Sequence, residues 1–389
     1  MHAPRSRKSS TKKRWLLSLP AHRVNCTTCF TSRGRPQLSQ FADQIIAWQK
    51  TYGRHDLPWQ RTRDAYRIWL SEVMLQQTQV ATVIPYYERF VARFPDVYAL
   101  AAAPLDAVMA HWAGLGYYSR ARNLHQCARQ IVADHAGEFP SSADALAQLP
   151  GIGRSTAGAI AALAFDERAA ILEGNVKRVL ARHFGVYGYP GSPTIERELW
   201  QRADALLPSQ QIGVYTQGLM DLGATVCTRG RPECGACPVS DSCVARREQT
   251  TEVLPTPRPV KQRPTRAATV LVLKDQRGAV LLEQRPPAGI WGGLLSLLEF
   301  EAGLSDAAIA AIIETRYGLR VVVQEWLGEI RHDFTHYSYV MHPRVAQTLG
   351  VVGVASGSLR ATCESEFETA PLPAPIRKLL LQLFSPTLV

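Results

Sequence analysis

Four cysteines near the middle of the chain, Cys227, Cys234, Cys237 and Cys243, follow the spacing C-x6-C-x2-C-x5-C and allow few structures around them. A loop this short can wrap four thiolates around one compact inorganic group. Four sulfurs without a histidine suit a [4Fe–4S] cube or an all-thiolate zinc site. Structural zinc usually takes two C-x2-C knuckles with a longer spacer between them. Only Cys234 and Cys237 form a knuckle here, and the ligands are soft, so the iron–sulfur cluster is favoured. Four unrelated buried thiols are a poor account of such bunching in a chain with eight cysteines.

The second constraint is the run Leu149-Pro150-Gly151-Ile152-Gly153-Arg154-Ser155. A helical pattern over 141–149 enters it and an alanine-rich apolar stretch over 155–165 leaves it. Two glycines in a tight turn permit positive φ and bare the backbone N–H groups. With the N-terminus of the following helix, they form a site for a phosphate. Leu149, Gly151, Gly153 and Arg154 are therefore candidate DNA-backbone contacts, although an ordinary helical corner can carry the same short pattern.

The two motifs together resemble the helix-hairpin-helix DNA glycosylases that carry an iron–sulfur loop. Longer runs narrow the resemblance to the adenine DNA glycosylase (MutY) family: Leu57-Pro58-Trp59, Trp69 through Gln79, Gly114-Leu115-Gly116-Tyr117-Tyr118, Gly174-Asn175-Val176-Lys177-Arg178, Arg285-Pro286-Pro287 and Trp291-Gly292-Gly293. It extends from about Gln37 almost to the C-terminus. It implies a multidomain fold, with an all-α helix-hairpin-helix core, a [4Fe–4S] loop and an α+β Nudix-like C-terminal domain. The implied partner is double-stranded DNA with adenine opposite 8-oxoguanine or guanine, bound by a monomer.

Composition agrees but is less specific. The net charge of +11 invites a nucleic acid. Most of it is local: nine Lys or Arg and no acid precede Asp43, and the remainder carries 35 basic against 33 acidic residues. Residues 1–36 read as a basic tail, a disordered arm or misassigned start, with some likeness to an organellar transit peptide. Cys26 and Cys29 form an isolated pair there. No apolar run is long enough to span a membrane, and a cluster protein belongs in a reducing compartment, so a cytoplasmic, nucleoid-associated protein is expected. The expected division is 37–62 with 169–247 as cluster domain, 63–168 as a six-helix barrel, 248–267 as an extended, solvated Pro-rich linker, and 268–389 as the Nudix-like domain. Residues 68–84 carry apolar side chains at helical spacing. Beyond the linker the period changes, with strands expected over 268–273, 279–283, 321–326 and 336–341, a turn over 275–278 and a helix over 305–316.

Breaking an N-glycosidic bond needs a protonated leaving base and an anion beside the sugar cation, hence two carboxyl groups tuned apart. Glu72 lies among Leu70, Val73, Met74 and Leu75, which favours its neutral form. The residues alone leave an exposed helix-face glutamate equally open; the resemblance makes Glu72 the general acid. The family carries aspartate just before Gly-Asn-Val, where this chain has Glu173. Its place before a helix should keep it ionised, but the extra methylene shifts the carboxylate by about 1 Å, enough to matter in a catalytic site. A catalytically impaired mismatch binder is therefore an alternative. Asn175 would orient Glu173 and the attacking water, or cap the helix.

The resemblance assigns further roles. Gln76, Gln77 and Tyr117 would wedge into the duplex as adenine leaves the stack, with Trp59 and Leu75 lining its pocket. Arg120, Arg122, Arg229 and Arg231 would meet phosphates. Phe334, Thr335 and His336 occupy the 8-oxoguanine-recognition loop, with threonine where the family has serine. The Nudix-like helix offers Glu314 without a carboxylate cluster, and so reads as part of a binding module. Endonuclease III, the rival within the class, needs a lysine for its lyase step. That position here is Ser155, implying a monofunctional hydrolase.

Overall fold

The computed structural model describes residues 34–259, 263–286, 289–334, 336–351 and 359–384, with side chains from residue 40 onward. The tail with Cys26 and Cys29 falls outside these residues, as does Thr335.

The first half is helical: α1 (Gly34–Tyr52), α2 (Ala65–Leu75), α3 (Val80–Arg93), α4 (Val97–Ala102), α5 (Leu105–Trp112), α6 (Ser119–His135), α7 (Ala143–Leu146), α8 (Arg154–Phe165), α9 (Gly174–Phe184), α10 (Pro193–Ala205), α11 (Ile212–Asp221) and α12 (Val244–Arg247). Two cores divide it. One gathers Trp69, Phe90, Phe94 and Trp112 from α2 to α6 with Leu149 and Ile160. The other packs Phe41 and Ile45 of α1 against Leu180, Tyr215 and Leu219. The 68–84 periodicity continues across a break: α2 ends at Leu75, Gln77 turns left-handed (φ 58°), and α3 starts at Val80. Apolar spacing survives a one-turn interruption because α3 resumes on the same core, so periodicity cannot reveal it.

After α11 the backbone widens into a π-helical turn, Leu222–Val226. Arg54 pins this region to the loop before Trp59. Its backbone N–H, Nε and Nη2 donate to the carboxylate of fully buried Asp221 at 2.9, 2.7 and 2.5 Å, and Gln217 Nε2 adds a fourth bond at 3.0 Å. The Pro-rich segment is not solvated throughout. Leu254 is buried and its carbonyl accepts from Arg182 Nε at 2.7 Å, while Thr256 Oγ1 accepts from Gly188 N–H. Its first half is thus packed onto the cluster region, because carbonyls offered by a proline-rich strand are ready acceptors for a buried guanidinium.

The C-terminal sheet contains β1 (Thr265–Lys274), β2 (Val280–Gln284), β3 (Leu295–Ser296), β4 (Leu298–Glu301), β5 (Leu319–Trp326), β6 (Ile330–Asp333), β7 (Ser338–Val351) and β8 (Leu359–Thr362), with helices α13 (Asp306–Tyr317) and α14 (Ala374–Phe384). β1 runs parallel to β7 in the middle, and the remaining pairs are antiparallel. Val270 and Val272 face the core that includes α14, whereas Leu271 and Leu273 face the core under α13. Both faces of β1 are covered, which is why its sequence is continuously apolar rather than alternating. The Asp275–Gly278 turn joins β1 to β2: Asp275 Oδ1 accepts from Arg277 and Ala279 N–H. β7 extends ten residues beyond the expected 341, through Pro343 and Arg344, which a local strand pattern does not favour.

Replacing Asp221 by Ala leaves Arg54 without its buried partner and should cost about 3–5 kcal/mol. Urea unfolding monitored by far-UV circular dichroism measures this; a loss below about 1 kcal/mol would show that the pair does not anchor the loop.

Candidate active site and cluster loop

A cleft opens between the two helical cores, lined by Trp59, Glu72, Leu75, Gln76, Ser155, Glu173, Asn175 and Arg229 among others. Glu72 projects from α2 and Glu173 precedes α9, so the fold brings together two carboxyl groups far apart in sequence. Each keeps partial exposure at the mouth, but protein surrounds the carboxyls densely. Burial, and then the negative charge of Glu173, push Glu72 up to about 7. Burial also raises Glu173, against the opposing pull of the Asn175 and Val176 N–H groups and of Arg178. The helix terminus therefore does not hold Glu173 at an ordinary carboxylate value, because desolvation outweighs the dipole. Of the pair, Glu72 lacks these compensating donors and is the natural holder of a shared proton.

Glu173 is the N-cap of α9. Its Oε2 accepts from Asn175 N–H at 2.7 Å and its Oε1 from Val176 N–H at 3.0 Å. These donors fix the Glu173 carboxylate against the first turn of the helix. Asn175 Oδ1 accepts from Arg178 Nη2 at 2.7 Å, and the same guanidinium donates to the carbonyls of Gly223 (2.6 Å) and Cys227 (2.7 Å). Gly223 belongs to the π-turn, and a Cβ there would lie 2.5 Å from Asn175 Cβ. The turn therefore seats directly against the start of α9. Ser155 Oγ accepts from Leu172 N–H at 2.9 Å, which fixes the segment leading into Glu173.

The four thiols Cys227, Cys234, Cys237 and Cys243 line one cavity. Among the described residues no three His, Cys, Asp or Glu side chains form a single-ion site. Four sulfurs around a shared space, without a single-ion arrangement, fit a polynuclear cluster better than zinc. Burial, with added repulsion from the other thiols, pushes Cys237 up to about 12; a cationic iron core removes that penalty. Arg182 Nη1 donates to Cys227 Sγ at 3.4 Å and to Thr228 O at 2.7 Å, and its Nη2 reaches Arg229 O. Arg229 and Arg231 are exposed on this loop, with Thr228 Oγ1 bonded to Arg231 O.

Several expected DNA contacts require correction. Arg120 is 7% exposed and cannot reach a phosphate. Its Nη1 takes the carbonyls of Val73, Met74 and Gln76, and its Nη2 those of Leu115 and Gly116. It thus satisfies the C-terminal carbonyls of α2 and the glycine turn together. The Arg122 guanidinium donates to Gly292 O. Leu149 is buried at 3% and anchors the hairpin by packing, leaving the contact surface to the exposed Gly151 and Gly153. Gly151 has φ 77°, and a Cβ there would lie 2.7 Å from Asn123 Cβ. Arg154 lies 3.8 Å over the Trp200 ring and pairs with Asp204 at 3.0 Å.

The wedge candidates sit at two left-handed positions, Gln77 (φ 58°) and Tyr117 (φ 48°), both exposed. Gln76 is tied back to Thr156 Oγ1. Trp59 is buried edge-on to Tyr87, and Leu75 is half-buried at the cleft. In the sheet domain Phe334 packs among Trp291, His332 and Tyr337, with exposed His336 against Tyr337. Sequence reasoning missed Arg178, Arg182 and Asp221. The i, i+4 spacing of the two arginines just after Gly-Asn-Val was the available signal, since thiolates and helix ends attract cations.

Residues 70–204 match the HhH-GPD superfamily of base excision DNA repair proteins, 227–243 the iron-sulfur binding domain of endonuclease III, and 269–382 the NUDIX domain. These define a helix-hairpin-helix glycosylase core with a [4Fe–4S] cluster-binding loop and a Nudix-type tail, and the four cysteines lie within the matched cluster region. An adenine DNA glycosylase of Buchnera aphidicola from Schizaphis graminum is 38% identical over 67% of this chain and 75% of that protein. The human adenine DNA glycosylase is 34% identical over 88% of this chain and 73% of its own length. A thermostable thymine-DNA glycosylase of known structure is 29% identical, with TM-score 0.50, covering 55% of this chain and 99% of that one. The chain belongs to the adenine DNA glycosylase family. Among the described residues no helix is long and apolar enough to cross a membrane.

A carboxyl raised from 4.5 to about 7 destabilises the fold once it ionises: the penalty is absent below the unfolded value and complete above the folded one. Glu72→Gln should therefore stabilise the protein by about 3 kcal/mol at pH 8 and only about 1 kcal/mol at pH 5.5. Thermal melts at the two pH values test this, and an equal gain at both would contradict the raised value.

Proposed function

We propose that this protein excises adenine mispaired with 8-oxoguanine or guanine in duplex DNA by hydrolysing the N-glycosidic bond, as a monofunctional glycosylase acting as a monomer. The observation that carries this reading is the convergence of Glu72 and Glu173 on one cleft, with Glu72 raised to about 7. The hairpin glycines, Arg154, Arg229 and Arg231 hold the backbone; Gln76, Gln77 and Tyr117 fill the gap as adenine swings into the cleft beside Trp59 and Leu75. Glu72 gives its proton to adenine N7. The C1′–N9 bond then breaks with its electron pair passing to the purine. The sugar cation is stabilised by the Glu173 carboxylate, which Asn175 and Arg178 orient. Water adds to C1′, and its surplus proton returns to the carboxylate pair. Ser155 offers no amine, so no imine forms. The bound cluster supplies a fixed core for the loop that presents Arg229 and Arg231.

We assign residues 63–168 to the barrel, 37–62 with 169–247 to the cluster domain, and 268–389 to a module in which Phe334 and His336 read 8-oxoguanine. The two helical cores support the first division in outline, although Leu57 and Trp59 pack with the barrel core and Ala159 with the other.

Single-turnover assays on duplexes with adenine opposite 8-oxoguanine, guanine or thymine, beside one carrying an oxidised pyrimidine, test the function. Strand loss after alkali is expected from the first two only. As the acid deprotonates, the rate should fall about tenfold per pH unit above about 7; alkali-labile sites in none of the duplexes would overturn the reading. Because cap donors hold the carboxylate against the helix, Glu173→Asp should change the rate by less than about tenfold, whereas Glu173→Gln should abolish it. A hundredfold change in either direction for the aspartate form would show that the extra methylene matters.

A further inference from the structure

The segment Trp291–Leu294 leaves its own domain. Leu294 is completely buried, yet it lies in the helical core with Met109 and Trp112, while its neighbours Leu295 and Leu297 pack in the sheet core. Trp291 touches both cores. Gly292 O accepts from Arg122 in the first turn of α6. Gly293, at φ 76°, lets the segment lie against that arginine: a Cβ there would stand 3.5 Å from Arg122 Nη1 and 4.0 Å from Met109 Cε. The tip is held from behind, where Gly293 N–H donates to the carbonyls of Arg285 and Pro286 and Leu294 N–H to Trp291 O. Nothing in the sheet core requires a leucine to be sent into its neighbour.

The other side of this segment meets the residues assigned to opposite-base reading. The Trp291 ring lies 5.6 Å from Phe334, 5.9 Å from His332 and 5.8 Å from Tyr339. Arg122 follows Tyr117 by five residues, across a turn that Arg120 locks through Leu115 and Gly116. Tyr117, Tyr118, Arg122, Trp291, Phe334 and His336 border one cavity at the seam. Arg122 N–H donates to Tyr118 O beside the wedge, its guanidinium holds Gly292, and Trp291 meets the aromatic cluster, so these contacts link the start of α6 to that cluster. 8-oxoguanine and guanine differ only in the substituent at C8 and the proton at N7. Telling them apart demands that the reading groups stand at a fixed offset from the stack, with tolerance well under 1 Å.

We propose that Trp291–Leu294 is a brace that registers opposite-base recognition against the Tyr117 wedge, with Arg122, Trp291 and Leu294 as positioning residues for discrimination. This rests on the reading of Phe334 and His336 given above.

The test is single-turnover excision by the full-length, cluster-loaded protein on adenine opposite 8-oxoguanine and opposite guanine. For Arg122→Ala the ratio of the two rates should fall at least tenfold, while the rate opposite guanine changes less than threefold. Arg122→Lys, which can still donate to Gly292 O, should keep most of the preference. Leu294→Ala should lower the ratio in the same way, and the double variant Arg122→Ala/His336→Ala should lose no more than His336→Ala alone. Equal losses on both duplexes, or an unchanged ratio in Arg122→Ala, would overturn the brace while leaving the glycosylase reading intact. A wild-type protein inactive on both duplexes would overturn the glycosylase reading and the brace with it.

Discussion

Helix α9 is held by charge along its whole length, and the cleft depends on that hold. At its start Glu173 caps two backbone donors. One turn later Arg178 ties it to the π-turn and to the backbone of Cys227, and after a further turn Arg182 reaches the Cys227 sulfur. A single rigid element thus joins the thiolate loop to the carboxylate that faces the substrate space. Loosening the loop would release two arginines, the seat of Asn175 and the cap geometry in sequence. The cysteines are accordingly part of the active-site framework even though they stand outside the cleft.

The opposite wall is built by a different device. Arg120 collects carbonyls from the end of α2 and from the glycine turn before α6, so that Gln77 and Tyr117 project from one shared anchor. A buried guanidinium with five or six acceptors is stable where one with two would not be. In a sequence this arginine looks like any cation after a glycine-rich turn. Only the convergence of carbonyls from residues more than forty positions away distinguishes a structural anchor from a phosphate ligand.

That contrast explains what could be read from the chain and what could not. The cysteine spacing, the hairpin glycines, the strand-like runs beyond the linker and the helix beginning near Ser305 are local patterns, and each was legible. Glu72 and Glu173 were legible through resemblance, but their shared desolvation arises only when α2 and α9 face each other. The break at Gln77 was hidden because apolar spacing resumes on the same core. Asp221 and Arg122 act through partners distant in sequence, and no window of residues records those partners. The Nudix-like unit shows the same limit: Glu283 pairs with Arg316 and Arg285 with Glu299, pairings fixed by strand register and helix docking rather than by any motif.

The left-handed backbone at Gln77 and Tyr117 has a consequence for encounter with DNA. Non-glycine residues adopt that region at a conformational cost. Here it is met during folding, by the carbonyl contacts of Arg120 and the adjoining glycines, before any duplex arrives. On the proposed reading, the protruding side chains would enter a base stack without rearranging the main chain. Recognition would then proceed by trial insertion while the protein travels along a helix, each probe limited by how easily the local base step opens.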